Sequence, residues 1–412
     1  MRVIFGLFLV GLLGCVASST PAPPPPPASP PTAEAKAIAE ANNRFALAFY
    51  RELAKEPGNV IYSPLSLHAA LSMTAAGAKG QTLAEMRQVL HLPDAPAADA
   101  GYRDLLGRVS GERPGYRLRT ANVVWGQSGY PWQPAFAARL KDGFGSGIQE
   151  ADFIRQPEAE RVRINTWAEN ETDGRIKDLI AEGMLDRTYR MVLANAIYFK
   201  GQWAEQFDPK RTRPAPFTLA DGTKVNVPMM SREGGFRVFA ERTAGQWQPD
   251  FWSAELPYKG GETSMVLLVP GKPDGLPALE NKLTPEALAG WLAAMHDAGN
   301  AYLSLPKFKI ETAGPQYQHN SRLSKLGMPA AFIDGKADFT EMTTAERLFI
   351  GFVVQKAFVE VNEEGTEAAA ATAVGMKAVS APPSYQADRP FLFLIRHQPT
   401  GAILFIGRYE KP

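Results

Sequence analysis

One cysteine in 412 residues, Cys15, leaves no intramolecular disulfide possible. Charge of one sign is also missing. The 44 Lys and Arg stand against 43 Asp and Glu, a formal +1, and that balance asks for no nucleic-acid partner. The local basic group Arg113, Arg117 and Arg119 falls at even spacings beside Tyr116 and Leu118, which reads as the solvent face of a strand. Catalytic motifs are lacking as well. There is no G-x-S-x-G, H-E-x-x-H, C-x-x-C or Gly-rich phosphate loop. The five histidines (His68, His91, His296, His319, His397) are scattered with no metal-ligand spacing. The expectation is therefore no enzyme, no metal and no cofactor. Ser304-Leu305-Pro306-Lys307 does match S-x-x-K, but that chemistry needs both residues one helical turn apart. Tyr302 to Ile310 alternates like a strand, which sets Ser304 and Lys307 on opposite faces, and no K-T-G follows.

Long apolar runs are rare too. Val3 to Leu13, after Arg2, is broken only by glycines and is too short to span a bilayer as a helix, but it matches the apolar part of a secretory signal. Leu12-Leu13-Gly14-Cys15 resembles a bacterial lipobox, whose cysteine is acylated and becomes the new N-terminus. Val16, in place of Asp, resembles the signal that sends lipoproteins to an outer membrane. The expected arrangement is a signal over 1–15, lipid on Cys15, and a body held at the periplasmic or cell-surface face. An ordinary signal peptide, giving a secreted protein, is the alternative. Pro21, Pro23 to Pro27, Pro30 and Pro31 then favour extended polyproline II, so 16–34 reads as a stiff spacer.

The body, 35–412, is expected to be α+β, helix-rich first and strand-rich later. Ile38, Asn42, Phe45, Ala46, Phe49 and Leu53 recur at helical spacing up to Pro57-Gly58. Ser63-Pro64 suits the start of a second helix, a third begins after Gln81-Thr82, and Asn165 to Ile180 reads as a helix entering a loop. Strands are expected over 121–125, 192–199, 264–269, 301–305, 352–361, 391–396 and 403–407.

What the chain has in plenty is alanine after Glu363-Glu364-Gly365-Thr366-Glu367: Ala368 to Ala371, Thr372, Ala373 and Val374 follow. This could be a surface helix or a linker. About 25 residues separate Gly365 from the strand at Phe391, and loops that long are usually functional or disordered. Written as a strand, one parity (Thr366, Ala368, Ala370, Thr372, Val374, Met376) is small or apolar, and the other holds Glu367 and Lys377. That is a half-buried strand pattern, with side chains small enough to thread between existing strands.

Glu363 to Thr372 resembles the hinge of inhibitory serpins. Asn59 to Ser66, Gly77 to Thr82, Asn195 to Trp203 and Ala387 to Phe393 resemble further segments of that family, in order, over residues 35 to 412. The resemblance implies a serpin fold: helices around a large central mixed sheet, two smaller sheets and an exposed reactive loop over about 363–386. It implies a monomeric suicide inhibitor of serine proteases, in which a cut loop inserts as an extra strand and drags the acyl-enzyme with it. Counts from Glu363 and from Pro390-Phe391 by the family's spacing both place the bait bond at Val379-Ser380. Valine suits an elastase-like protease with a small aliphatic pocket. Ser63, Ser66 and Asn195 match the polar group under the sheet centre. Trp203, Lys307 and Glu363 match its top, with a Lys307–Glu363 ion pair expected. Gln355 stands where the family often has histidine; it can still donate and accept, without titrating near neutral pH. Serpins without inhibitory activity are the alternative.

Overall fold

The chain's helices begin where a side chain or a proline deals with the first free N–H groups. The computed structural model describes residues 29–312, 318–366 and 382–412, and residues 31–412 form one body. The Thr32 hydroxyl accepts from the Ala35 N–H at 3.1 Å and starts α1 (Ala33–Leu53). Helix α1 therefore begins within the segment expected as a spacer, 16–34. Ser63 caps α2 (Pro64–Ala75) with Pro64 in its first turn, and all twelve residues of that helix are buried. A helix enclosed on every side has no need of a polar stripe, so α2 shows none.

The remaining helices are α3 (Gly80–Leu90), α4 (Ala95–Val109), α5 (Pro134–Phe144), α6 (Pro157–Glu171), α7 (Leu276–Lys282), α8 (Pro285–Ala293) and α9 (Asn320–Leu326). Two expected boundaries move. The third helix starts at Gly80, before Gln81, and the helix expected to run on from Asn165 is the second half of α6, which ends at Glu171.

Among the described residues, three sheets carry the strands. The first runs β1 (Val60–Tyr62), β18 (Ile403–Tyr409), β17 (Phe391–His397), β10 (Thr263–Pro270), β9 (Phe251–Pro257), β8 (Arg237–Glu241) and β11 (His296–Asp297). Its central strands are buried on both faces, which is why Met265 to Val269 in β10 and Ile403 to Ile406 in β18 read as apolar runs without alternation. The second sheet runs β16 (Ser384–Gln386), β12 (Ala301–Pro306), β7 (Lys224–Gly234) and β6 (Arg213–Thr218). The third runs β13 (Phe308–Glu311), β14 (Lys356–Val361), β5 (Met191–Gln202), β3 (Tyr116–Gln127) and β2 (Gly111–Arg113). β15 (Gly365–Thr366) joins it on β5 and β4 (Ile148–Ala151) on β3. Parallel and antiparallel pairs mix in this β5 sheet.

The chain crosses between sheets where one strand was expected. Tyr302 to Ile310 is two strands, β12 and β13, in different sheets, with Lys307 between them donating its N–H to the Pro228 carbonyl at 2.8 Å. Pro306, with no N–H to give the ladder, closes the first. Of the strand expected over 352–361, only Lys356–Val361 pairs as a strand, and before it Val354 makes a lone bridge to Gln318.

The core lies between the β5 sheet and the first sheet, where Ile197 and Phe199 meet Leu267, Phe393 and Phe405. A second cluster packs helices on the first sheet's other face, and a third sits under α6 against Val192, Ala194 and Ala196. β5 is thus covered on both sides.

Candidate functional site

The twelve residues of β5 have one full neighbour and one partial neighbour. On one side β3 pairs with it from Gly126–Met191 to Tyr116–Gly201. On the other side β14 pairs in parallel at three positions only: Lys356–Ala196, Ala357–Ile197 and Phe358–Tyr198. Towards the start of β5, Met191, Val192 and Leu193 face residues 346–352 across a cavity of about 520 Å³, instead of across hydrogen bonds. The seam between β5 and β14 is closed in its middle and open below.

Beneath the closed part sits a buried polar group. The Gln355 side chain accepts from the Ser63 N–H at 2.9 Å and donates to the Ser63 carbonyl at 3.0 Å and to Asn195 Oδ1 at 2.9 Å. Asn195 Nδ2 donates to Ser66 Oγ at 2.6 Å and to Asn122 Oδ1 at 2.5 Å. Ser63 Oγ donates to the Leu404 carbonyl at 2.6 Å. Ser63, Ser66, Asn195 and Gln355 are buried and fully engaged, so each bond carries the cost of leaving a partner unpaired if it breaks. Gln355 straps the β14 side of the seam to β5 and to α2 by both donating and accepting, with no titratable ring. Asn122 belongs to this group but was missed. Its signal was a lone amide between Ala121 and the apolar run Val123-Val124-Trp125.

At the far end of β5 the hinge lies against the sheet. Gly365 pairs with Gln202 and Thr366 with Gly201, antiparallel to β5. Within the loop expected over 363–386, residues 365–366 and 384–386 are strand. A Cβ on Gly365 would lie 1.9 Å from the Gly201 carbonyl oxygen, so only glycine can make this approach. The Trp203 N–H donates to the Glu364 carbonyl at 2.9 Å, and its indole N–H to the Asn362 carbonyl at 3.0 Å. The Trp203 ring stacks on Tyr258, centroids 4.6 Å apart and 9° from parallel.

Glu363 is held from two sides: Lys307 Nζ lies 3.1 Å from Oε2, and the Thr212 hydroxyl donates to Oε1 at 2.8 Å. Burial works against its charge, but hydrogen bonds from its own backbone and Thr212, with the Lys307 ammonium, outweigh it and hold its pKa below the usual range. Thr212, 151 positions away, gave no signal in the sequence. Glu363→Ala should cost about 1–2 kcal/mol, from the lost pair and the unpaired Thr212 hydroxyl. The heat-polymerisation midpoint should fall by a few degrees; an unchanged midpoint would deny Glu363 a part in closing the sheet.

Among the described residues, no group of three His, Cys, Asp or Glu side chains could hold a metal ion, and no helix is long and apolar enough to cross a membrane. Ser304 is buried in β12 while the Lys307 ammonium reaches Glu363, so S-x-x-K is not assembled as a pair. Cys15, Glu367, Ala368, Ala369, Ala370, Ala371, Thr372, Val379 and Ser380 lie outside the described residues.

Known proteins resemble this chain in sequence and fold. Residues 40–412 match the family described as Serpin (serine protease inhibitor). The chain is 38% identical over 382 residues to Serpin B8 of Bos taurus, covering 91% of this chain and 100% of that protein. It is 36% identical over 386 residues to the leukocyte elastase inhibitor of Homo sapiens, covering 91% and 99%. The crystal structure of uncleaved ovalbumin superposes with a TM-score of 0.82 at 30% identity, covering 91% of this chain and 100% of that one.

Proposed function

The chain belongs to the serpin family, described as serine protease inhibitors rather than enzymes, and from that premise we propose that it traps a serine protease as a suicide substrate. The bait bond is Val379-Ser380. The protease forms an acyl-enzyme there, and the severed arm enters the β5 sheet with the protease attached. The observation that carries this reading is the seam: β14 pairs with β5 at three positions only, and the hinge already pairs in antiparallel register with the end of β5 away from the cavity.

That register can be extended by counting. With Thr366 opposite Gly201, each further residue takes one step down β5, and Met376 comes opposite Met191, the last position. Residues 365–376 thus equal the twelve residues of β5 in length, and Val379 lies just past its end. Glu367 would come opposite Lys200 and Thr372 opposite Asn195, one pairing opposite charges and the other polar groups across the strands. The two polar exceptions in an alanine-rich arm thereby meet polar partners.

The target is an elastase-like protease, because Ala378-Val379 fills a small aliphatic pocket and lacks the cation a trypsin-like pocket wants. Export is proposed from 1–15, with Cys15 as the lipid site and the Pro-rich segment as spacer to an outer membrane face; without acylation the protein would be secreted. The inhibitor acts as a monomer.

Mixing the full chain with an elastase, and separately with trypsin, tests the mechanism. A complex that survives boiling in detergent, with cleavage after Val379, is expected for elastase. Clean cleavage with no complex would mark a serpin that is only a substrate. Labelling with a radioactive fatty acid, lost in Cys15→Ser, tests the anchor.

A further inference from the structure

Thr366 is the first hinge residue past the glycine, and its hydroxyl is fully enclosed. Its Oγ1 lies 2.8 Å from Tyr258 Oη, and both residues are buried. Neither hydroxyl has a second side-chain or backbone partner among the described residues. Tyr258 is itself fixed in place. It follows β9, bridges to Trp203, stacks on that indole, and packs edge-on against Phe199 at 5.1 Å. The rigid ring therefore presents one hydroxyl at one height beside the Gly201 end of β5.

A strand that shifts by one residue turns every side chain to the other face. For an arm rich in alanine, few of its own side chains resist such a slip. We propose that Tyr258 is a positioning residue: its hydroxyl, by holding Thr366, sets the register in which the arm enters the sheet. This rests on the inhibitory reading above. If the arm starts in register, insertion outruns release of the protease. If it starts in the wrong register, hydrolysis of the acyl-enzyme wins and the inhibitor is consumed without a complex.

Four variants of the full chain decide it: Tyr258→Phe, Thr366→Val, their double, and Thr366→Ser. The first two each strand one buried hydroxyl, the double removes both at constant shape, and the serine keeps the bond. Two quantities are measured: inhibitor molecules consumed per boiling-resistant elastase complex, and the unfolding midpoint of the uncleaved protein.

Tyr258→Phe and Thr366→Val should each at least double the consumption and lower the midpoint. Thr366→Ser should match the parent in both. The double variant should recover the midpoint, because no hydroxyl is left unpaired, yet keep the raised consumption, because the marker of register is gone. That split separates positioning from mere stability. Unchanged consumption in both single variants, or a double variant whose midpoint is the sum of the single losses, would overturn the proposal. If the parent forms no complex, the inhibitory reading falls, while the midpoints still decide whether the two hydroxyls are coupled. Should Tyr258→Phe not fold, Thr366→Val against Thr366→Ser makes the same comparison.

Discussion

Cutting the chain after Val379 should raise its unfolding midpoint by several degrees, the reverse of what a nick in a loop does to an ordinary protein. In the uncut chain β5 meets β14 at three positions, and the lower part of that edge faces a cavity of about 520 Å³. An inserted arm would pair on both sides, giving the backbone groups beyond Thr366 strand partners on β5 and β14. Ordering the arm opposes this, but alanine loses no rotamer freedom, which keeps the cost to about 1–2 kcal/mol per residue. Opening the seam also breaks the Gln355–Asn195 strap, a cost met once. Each kcal/mol moves a body of this size by roughly 1–2 °C. Scanning calorimetry before and after limited digestion reads the shift directly. A midpoint that stays or falls after clean cleavage would mean that the arm does not enter the sheet.

Acid should weaken the uncut protein well above the carboxylate range. Burial pushes the pKa of His68 down to about 4, that of His319 to about 3 and that of His397 to about 4. Arg322 adds to the effect at His319; Arg108, Arg113 and Arg396 add to it at His397. In the unfolded chain each titrates near the ordinary value of ~6.5. The unfolded state therefore binds the extra protons first as pH falls. The stability is complete above about pH 6.5 and is lost progressively down to the folded values. At pH 5 each histidine forfeits on the order of 2 kcal/mol, and the three together about 6, a large share of any domain's margin.

His319 offers the cleanest check. Neither of its ring nitrogens has a hydrogen-bond partner among the described residues, and the ring packs edge-on against Phe49 at 5.0 Å. His319→Leu should raise the unfolding free energy, read from denaturant titration, by about 2 kcal/mol more at pH 5 than at pH 7.5. An equal change at both pH values would remove His319 from the acid response. The polar strap should play no part, because Gln355 does not titrate.

The hinge was legible in the sequence because its constraint is local. Small residues, a glycine and a parity of charges over ten positions are visible in one window, and Thr366 is buried as its parity requires. The polar group was legible residue by residue through family likeness, except for Asn122, which the β3–β5 register brings to Asn195 from 73 positions away. Tyr258 and Thr212 could not be found that way. An aromatic ending a strand and a threonine before one are ordinary residues until folding sets them beside the hinge. The strand boundaries failed for a different reason. Lys307 and residues 352–355 have strand-like neighbours, but the chain there passes between sheets or borders a cavity, and apolar alternation does not record whether a partner strand is present.

The Thr32 cap bears on mechanics. Its backbone N–H and hydroxyl both bond to Asp104 on α4, at 3.0 and 2.9 Å, and Asn42 and Asn43 tie α1 to the β17–β18 turn through the carbonyls of Ile403 and Gly401. A pull on the preceding prolines would enter the body there, fraying the first turn of α1 while the load passed into α4 and the buried β18. The Leu404 carbonyl of β18 accepts from Ser63, which Gln355 straps to β5, so in a tethered chain such a pull would bear on the polar group beneath the seam.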